Sequence, residues 1–191
     1  MRELSLHILD IVQNSIEAQA TLIEIVMKED ISNDLLKITI VDNGTGISKE
    51  KLWNITDPFV TTRKTRRVGL GLSLFEVAAM RCEGSLKIRS NPKGTEVIST
   101  FRHSHIDRAP IGNIADTLVA MAISLKKDTN LVYKHSYNHN VFTLDTREVR
   151  RIIGDKIPLN HVRVLNWIKN TVNEELSKLV EVQNEKNIGR T

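Results

Sequence analysis

The sequence predicts an α+β protein, and three patterns carry that expectation. Apolar residues recur at helical spacing in residues 3–18 and 69–83. Runs of alternating apolar and polar residues pair off around turn residues, first at 21–41, then at 86–101 and 131–144. At 191 residues the chain has room for one domain and a smaller companion, and the texture changes after Pro110 and Gly112. The expected division is 1–102, a connector at 103–112, and a smaller C-terminal α+β region at 113–191.

Taken in order, Leu4, Ile8, Ile11, Val12 and Ile16 form the apolar face of a first helix, with Glu3, His7, Asp10, Asn14 and Glu17 as a polar stripe on another face. Ile23, Ile25 and Met27, then Leu36, Ile38 and Ile40, alternate across two half-buried strands separated by the polar Glu29–Asp34. Asp42-Asn43-Gly44-Thr45-Gly46 breaks that pattern, and Ser48 caps a short helix holding Lys51, Leu52 and Trp53. Thr56–Val68 has no period and reads as a long loop, a length that inside a compact domain is usually functional. Leu72, Phe75, Ala79 and Cys82 line one side of the next helix, with Gly84 as its C-cap. Two strands meet at the turn Asn91-Pro92-Lys93-Gly94. Beyond the connector, a helix at Asn113–Leu125, a hairpin at 131–144, a helix capped by Asp145 and a last helix through Val182 are expected. Gln183–Thr191 reads as a frayed polar end.

Composition narrows the function. With 40% hydrophobic and 26% charged residues the chain is an ordinary globular protein. Only 4% of residues are aromatic, which argues against a stacking platform for single-stranded nucleic acid. A net charge of +4 permits an anionic ligand without demanding nucleic acid. The single cysteine, Cys82, excludes an internal disulfide and suits a reducing compartment. The charged start lacks the apolar stretch of a signal peptide, and Ile114–Leu125 is too short to span a bilayer. A cytoplasmic protein without membrane or nucleic-acid partners is expected.

Three segments carry candidate chemistry. Asp10 and Asn14 stand one helical turn apart, where a carboxylate and an amide oxygen can order Mg²⁺ and a water; alone, the same spacing describes a solvated helix face. Asp42 ends a strand, where a carboxylate can accept from an exocyclic amine, and Gly44 and Gly46 let backbone approach a ring or phosphate; alone, this is a plain turn. Asp57–Ser73 runs from a basic, hydroxyl-rich loop through Gly69 and Gly71 into a helix start, where backbone N–H groups suit phosphate; the charge alone would serve solubility.

In this order and at these separations the segments resemble the Bergerat, or GHKL, ATP-binding superfamily of gyrase B subunits, MutL proteins, heat-shock chaperones and histidine-kinase ATP-binding domains. The Asn14 segment with Ser15 and Ala18 looks like the N box. Asp42-x-Gly44-x-Gly46-Ile47 is similar to the first glycine box. Pro58–Thr62 and Gly69-Leu70-Gly71-Leu72-Ser73 look like a histidine-kinase lid and second glycine box, and Gly94-Thr95-Glu96-Val97 resembles the closing-strand motif. The resemblance implies a two-layer α/β sandwich whose mixed, mostly antiparallel sheet has helices on one face. It implies that Asn14 ligates Mg²⁺ and that Asp42 accepts the adenine amino proton, assisted by Thr95. It further implies that Ala18, Gly44, Gly46 and Ile47 admit the nucleotide, with Thr62, Arg63 and Lys64 in a lid and Gly69, Gly71 and Leu72 on the phosphates. Asp10 stands where gyrase-type members carry a glutamate, which makes it the candidate general base, one methylene shorter. Arg67 and Val68 replace the glycine and threonine that usually open the second box. With the first helix at the start of the sequence, a sensor kinase with its histidine-bearing dimerisation helix in the same chain is not expected.

The resulting expectation is a Mg-ATP-binding protein that hydrolyses ATP or phosphorylates a separate, unknown protein. A nucleotide-gated interaction switch without turnover is the alternative. A metal-dependent hydrolase is the outsider: His103, His105 and Asp107 would share one side of an extended strand. The Ser104, His105, Arg108, Pro110 spacing also echoes a phosphoacceptor box. His135, His139 and His161 read as surface or structural residues, and Trp167, with Ile168, Val172 and Leu176, as core. The long last helix allows packing on a partner or on a second copy as a homodimer, beside a plain place in the core.

Overall fold

The computed structural model describes residues 3–48, 70–154 and 156–188. Its elements are α1 (Leu4–Glu17), β1 (Leu22–Asp30), β2 (Leu35–Asp42), α2 (Leu70–Met80), β3 (Ser85–Asn91), β4 (Gly94–Arg102), α3 (Ile114–Ser124), β5 (Asn130–Tyr137), β6 (Asn140–Asp145), α4 (Thr146–Ile153) and α5 (Val162–Ile188). The short helix after Ser48, the loop at 56–68 and the site candidates Thr62, Arg63, Lys64 and Gly69 lie outside the described residues.

Six strands form one mixed sheet in the order β3-β4-β2-β1-β5-β6. β1 and β5 run parallel; the other four pairs are antiparallel. The strands that follow the connector thus join the sheet laid down before it. The register explains the alternation in sequence. Ile23, Ile25 and Met27 on β1 and Leu36, Ile38 and Ile40 on β2 are buried in one core cluster with Leu4, Ile8, Ile11, Val12 and Ile16 of α1 and Phe75 and Ala79 of α2. Glu24, Val26 and Lys28 face the other way and are exposed.

α1 has no side-chain N-cap at Glu3. Its first-turn N–H groups are instead met by the connector: Leu4 N donates to Pro110 O (3.0 Å) and Ser5 N to Ile111 O (2.8 Å). A missing cap costs about 1 kcal/mol. Each fully buried aliphatic side chain contributes about 1.5–3 kcal/mol, so the five apolar residues of α1 outweigh it even before the connector is counted. Asp145 caps α4 as expected, its Oδ1 accepting from Arg147 N at 2.8 Å. Asn113 does the same for α3, accepting from Asp116 N at 2.9 Å.

Five expectations need correction. Gly84 is not a left-handed C-cap; Glu83 takes that conformation (φ 54). Gly84 is required by close approach, since a Cβ there would stand 1.8 Å from Thr100 O on β4. The last helix runs on to Ile188 rather than stopping at Val182. Trp167 is 47% exposed, although Ile168 and Val172 beside it are core. His135 is buried, not superficial, because its β5 register puts it on the helix-covered face with Leu131 and Tyr133. Residues 103–107 form turns rather than an extended strand, so the strand alternation expected to align His103, His105 and Asp107 does not apply.

Candidate functional site

Asp42 is the last residue of β2 and pairs with Ile23 on β1 and Thr95 on β4. Its carboxylate is held from two directions. Ser15 Oγ on α1, itself 2% exposed, donates to Oδ2 at 2.7 Å. Gly44 N donates to Oδ1 at 2.9 Å. Each oxygen keeps a second acceptor direction, so the group is oriented without being used up. The turn that follows is fixed by Asn43, whose Oδ1 accepts from Thr21 N (2.8 Å) and Leu22 N (2.9 Å). Thr45 N then donates to Ala18 O at 2.9 Å, tying the turn to the end of α1.

Gly44 lies against α1, and a Cβ there would meet Ala18 O at 2.7 Å, Ala18 Cβ at 3.0 Å and Asp42 Oδ1 at 3.1 Å. Gly46 has φ +69, and a Cβ on it would stand 1.9 Å from Asn91 O. Ile47 N donates to Ser90 Oγ (2.8 Å), and Ser90 Oγ contacts Thr95 Oγ1 (2.9 Å). Ser90 therefore links the first glycine turn to the strand opposite. Sequence reasoning passed over it, because a lone serine in a strand carries no signal. Ser15 had one: it stands three residues before Ala18 on the face of α1 that the first turn meets.

The second group lies along α1. Asp10 is half-buried and Asn14 exposed, one turn apart as expected. A Cβ on Gly71 would come 3.2 Å from Asp10 Cβ and 3.3 Å from its Oδ2, so the first turn of α2 sits directly on Asp10. Leu72 buries its side chain in the core at 9% exposure, which leaves its backbone as the part able to meet a ligand. His7, one turn before Asp10, is buried as well, at 1%. Burial is the main cause that holds its pKa below the ordinary histidine value.

The histidines of the second half serve elsewhere. Glu29, on β1 at the end of the strand away from Asp42, accepts from His135 Nε2 at Oε1 and meets His103 Nε2 at Oε2, both at 2.8 Å. His135 Nδ1 faces Tyr133 O–H at 2.8 Å. Burial pushes the Glu29 carboxyl up, but the hydrogen bonds from His135 and His103 together outweigh it, so its pKa lies below the usual value. His105 turns away, its Nδ1 accepting from Asp107 N at 3.2 Å. Among the described residues no three His, Cys, Asp or Glu side chains are placed to hold a metal ion. The hydrolase reading is overturned: His103 is committed to Glu29, and Asp107 reaches His105 through its backbone.

Residues 2–105 match the family described as histidine kinase-, DNA gyrase B- and HSP90-like ATPase. The chain is 33% identical over 88 residues to the non-motile and phage-resistance protein of Caulobacter vibrioides (strain ATCC 19089 / CIP 103742 / CB 15), covering 43% of this chain and 10% of that protein. It is 45% identical over 65 residues to sporulation kinase D of Bacillus subtilis (strain 168), covering 34% of this chain and 13% of that protein. The chain thus matches only a small part of the length of either relative. The Aquifex aeolicus MutL ATPase domain complexed with ADP has the same fold, with TM-score 0.50 at 14% identity over 80% of this chain and 69% of that one. No helix among the described residues is long and apolar enough to cross a membrane.

Proposed function

The chain belongs to the histidine kinase-, DNA gyrase B- and HSP90-like ATPase family, and from that premise we propose that it binds Mg-ATP between α1 and the sheet and turns it over, as an ATPase or as a kinase of a separate protein. The observation that carries this reading is the Asp42 carboxylate, oriented by Ser15 Oγ and Gly44 N and standing beside Thr95. An ionised carboxylate fixed at a strand end is a specific acceptor for an exocyclic amine. Gly44 supports the same reading, because its missing Cβ lets the turn after Asp42 close onto Ala18 at the end of α1 and keep the carboxylate beside the helix.

The donor set fits magnesium too. Mg²⁺ prefers oxygen ligands, keeps several waters and takes few protein groups beside phosphate oxygens. Asn14 offers one amide oxygen on the exposed side of α1, one turn from Asp10. When bound, Mg²⁺ shares the charge of the triphosphate. In this reading Asp42 and Thr95 select adenine, Ala18 and Ile47 flank it, and Gly46 gives the turn its shape. Gly71 and Leu72 offer first-turn N–H groups to phosphate, which the α2 dipole favours. Thr62, Arg63 and Lys64 as lid residues and Gly69 as a phosphate contact belong to the same reading. Asp10, beneath that first turn, takes the proton of the attacking water or hydroxyl. The name of sporulation kinase D and the ADP complex of the MutL domain support this reading.

Calorimetry with Mg-ADP on the wild type and on Asp42→Asn tests it. The variant loses a charge-assisted hydrogen bond of about 1.5–3 kcal/mol, or roughly 10- to 100-fold in affinity. A wild type that gives no binding heat, or a variant that binds equally well, overturns the proposal.

A further inference from the structure

His7 is out of character for its surroundings. It was expected on a polar stripe, yet its ring is 1% exposed and stacks on Phe75 of α2, with centroids 5.0 Å apart and planes 19° apart. Phe75 in turn meets Phe101 of β4 at 5.8 Å. The ring thus ends a row of aromatic groups running from α1 through α2 into the sheet. Packing alone would favour an apolar residue there. The chain carries a histidine whose buried Nδ1 has no hydrogen-bond partner among the described residues, an arrangement that lowers stability. Buried polar groups kept at such a cost concentrate at functional places.

What the ring faces gives the reason. Phe75, on which the ring stacks, follows Gly71 by one helical turn, and Gly71 is the residue that lies on Asp10; the Gly71 backbone also pulls the His7 pKa up against the effect of burial. His7, Asp10 and Asn14 occupy successive turns of one face of α1, so His7 stands behind the residues assigned above to phosphate and magnesium. The first-turn N–H groups of α2 have no intrahelical partners, and their usefulness to a ligand depends on where that turn is held.

We infer that His7 is a positioning residue for nucleotide binding: stacked on Phe75 and facing the Gly71 backbone, it holds the first turn of α2 against α1 beside Asp10. This rests on the Mg-ATP reading of the preceding subsection. It adds a residue that touches no ligand and acts through Gly71.

The test uses His7→Leu, which keeps apolar volume and removes the ring nitrogens, and His7→Gln, which restores a side-chain N–H. Three readouts are taken on the full chain: melting temperature, Mg-ADP affinity, and hydrogen exchange of the Leu74 and Phe75 amides without nucleotide. In a regular helix those amides bond the carbonyls of Leu70 and Gly71. His7→Leu is expected to melt at or above the wild-type temperature, to bind Mg-ADP at least fivefold more weakly, and to exchange at those amides at least threefold faster. His7→Gln is expected to recover part of both losses. A His7→Leu protein that melts well below wild type or fails to fold makes His7 an ordinary core residue and overturns the inference. Wild-type exchange at Leu74 and Phe75, or undiminished affinity, overturns it equally. If the wild type itself ignores Mg-ADP, the nucleotide reading fails, and the claim that His7 positions the turn stands or falls on exchange alone.

Discussion

Replacing Glu29 by glutamine isolates what one buried charge contributes to this fold. An ionised carboxylate only accepts hydrogen bonds, so both His135 and His103 present Nε2–H to Glu29, and His135 Nδ1 is left to accept from Tyr133 O–H. A glutamine has one accepting oxygen and one donating nitrogen. Its oxygen is expected to face His135, because the opposite choice turns His135 Nδ1 into a donor and leaves the buried Tyr133 O–H proton without its acceptor. Its nitrogen then faces His103, which can switch tautomer at the edge of the cluster, where 19% of its side chain is exposed. Both hydrogen bonds survive, but each loses charge assistance worth about 1 kcal/mol, for a total of about 2 kcal/mol. For a chain of this size that is roughly 4–8 °C in melting temperature. The pH dependence supplies the sign. The folded carboxyl titrates below its ordinary value, since the two histidine hydrogen bonds outweigh the burial that pushes the other way. Its contribution is therefore complete above the unfolded value, near 4.5, and disappears as pH falls through the lower folded value. Thermal unfolding of both proteins from pH 7 to pH 3.5 should show a gap that is widest above about pH 5 and closes below it. A gap that stays constant across that range, or a variant as stable as wild type at neutral pH, would refute the account of this cluster.

Other substitutions test the site and its supports. Gly44→Ala puts a methyl group 2.7 Å from Ala18 O and 3.1 Å from Asp42 Oδ1; Mg-ADP affinity measured by calorimetry should fall at least about tenfold, with about 1–3 kcal/mol of stability lost to overpacking. Asp10→Ala should lower phosphate release by at least about a hundredfold while Mg-ADP binding changes little, and equal rates would remove Asp10 as a base. Gly84→Ala must move the β4 backbone, because its methyl group would lie 1.8 Å from Thr100 O. It should cost about 3 kcal/mol, read as a lower denaturant midpoint at unchanged slope.

The strands and helices were legible because their periods are local. Ile23, Ile25 and Met27 alternate whatever they pair with, and Leu72, Phe75, Ala79 and Cys82 keep helical spacing wherever α2 docks. The candidate site residues were legible for a different reason. Asp42, Gly44 and Asn14 sit in short motifs whose order along the chain matches a known family. What stayed hidden depends on partners far away in sequence. Nothing in Leu131–His135 says that β5 will lie parallel to β1, so nothing marked His135 as buried or paired it with Glu29, 106 residues away. Ser90 is silent for the same reason. His7 was misread because its spacing from Asp10 and Asn14 is that of a polar stripe. Whether such a stripe meets water or another helix is decided by α2, and Phe75 covers it at His7 while Asn14 and Glu17 stay exposed.

The connector shows how much a stretch that reads as a linker can do for a site. α1 carries Asp10, Asn14 and Ser15, and it is gripped at three levels. Its first N–H groups are capped by Pro110 and Ile111, its middle turns meet Phe75 and Gly71, and its last turns are tied to Asp42 through Ser15 and to Thr45 through Ala18. The first of these grips comes from beyond β4, and the connector is fixed at its own start as well. His103 is pinned to Glu29, and Arg108 Nε donates to His103 O at 2.6 Å. The Glu29 cluster and the Asp42 carboxylate thus sit at opposite ends of the same strand pair, yet both bear on the placement of α1. The N-terminal motifs carry the proposed chemistry. The geometry of the helix that presents them depends on residues 103–112, most of which lie beyond the residues 2–105 that match the family.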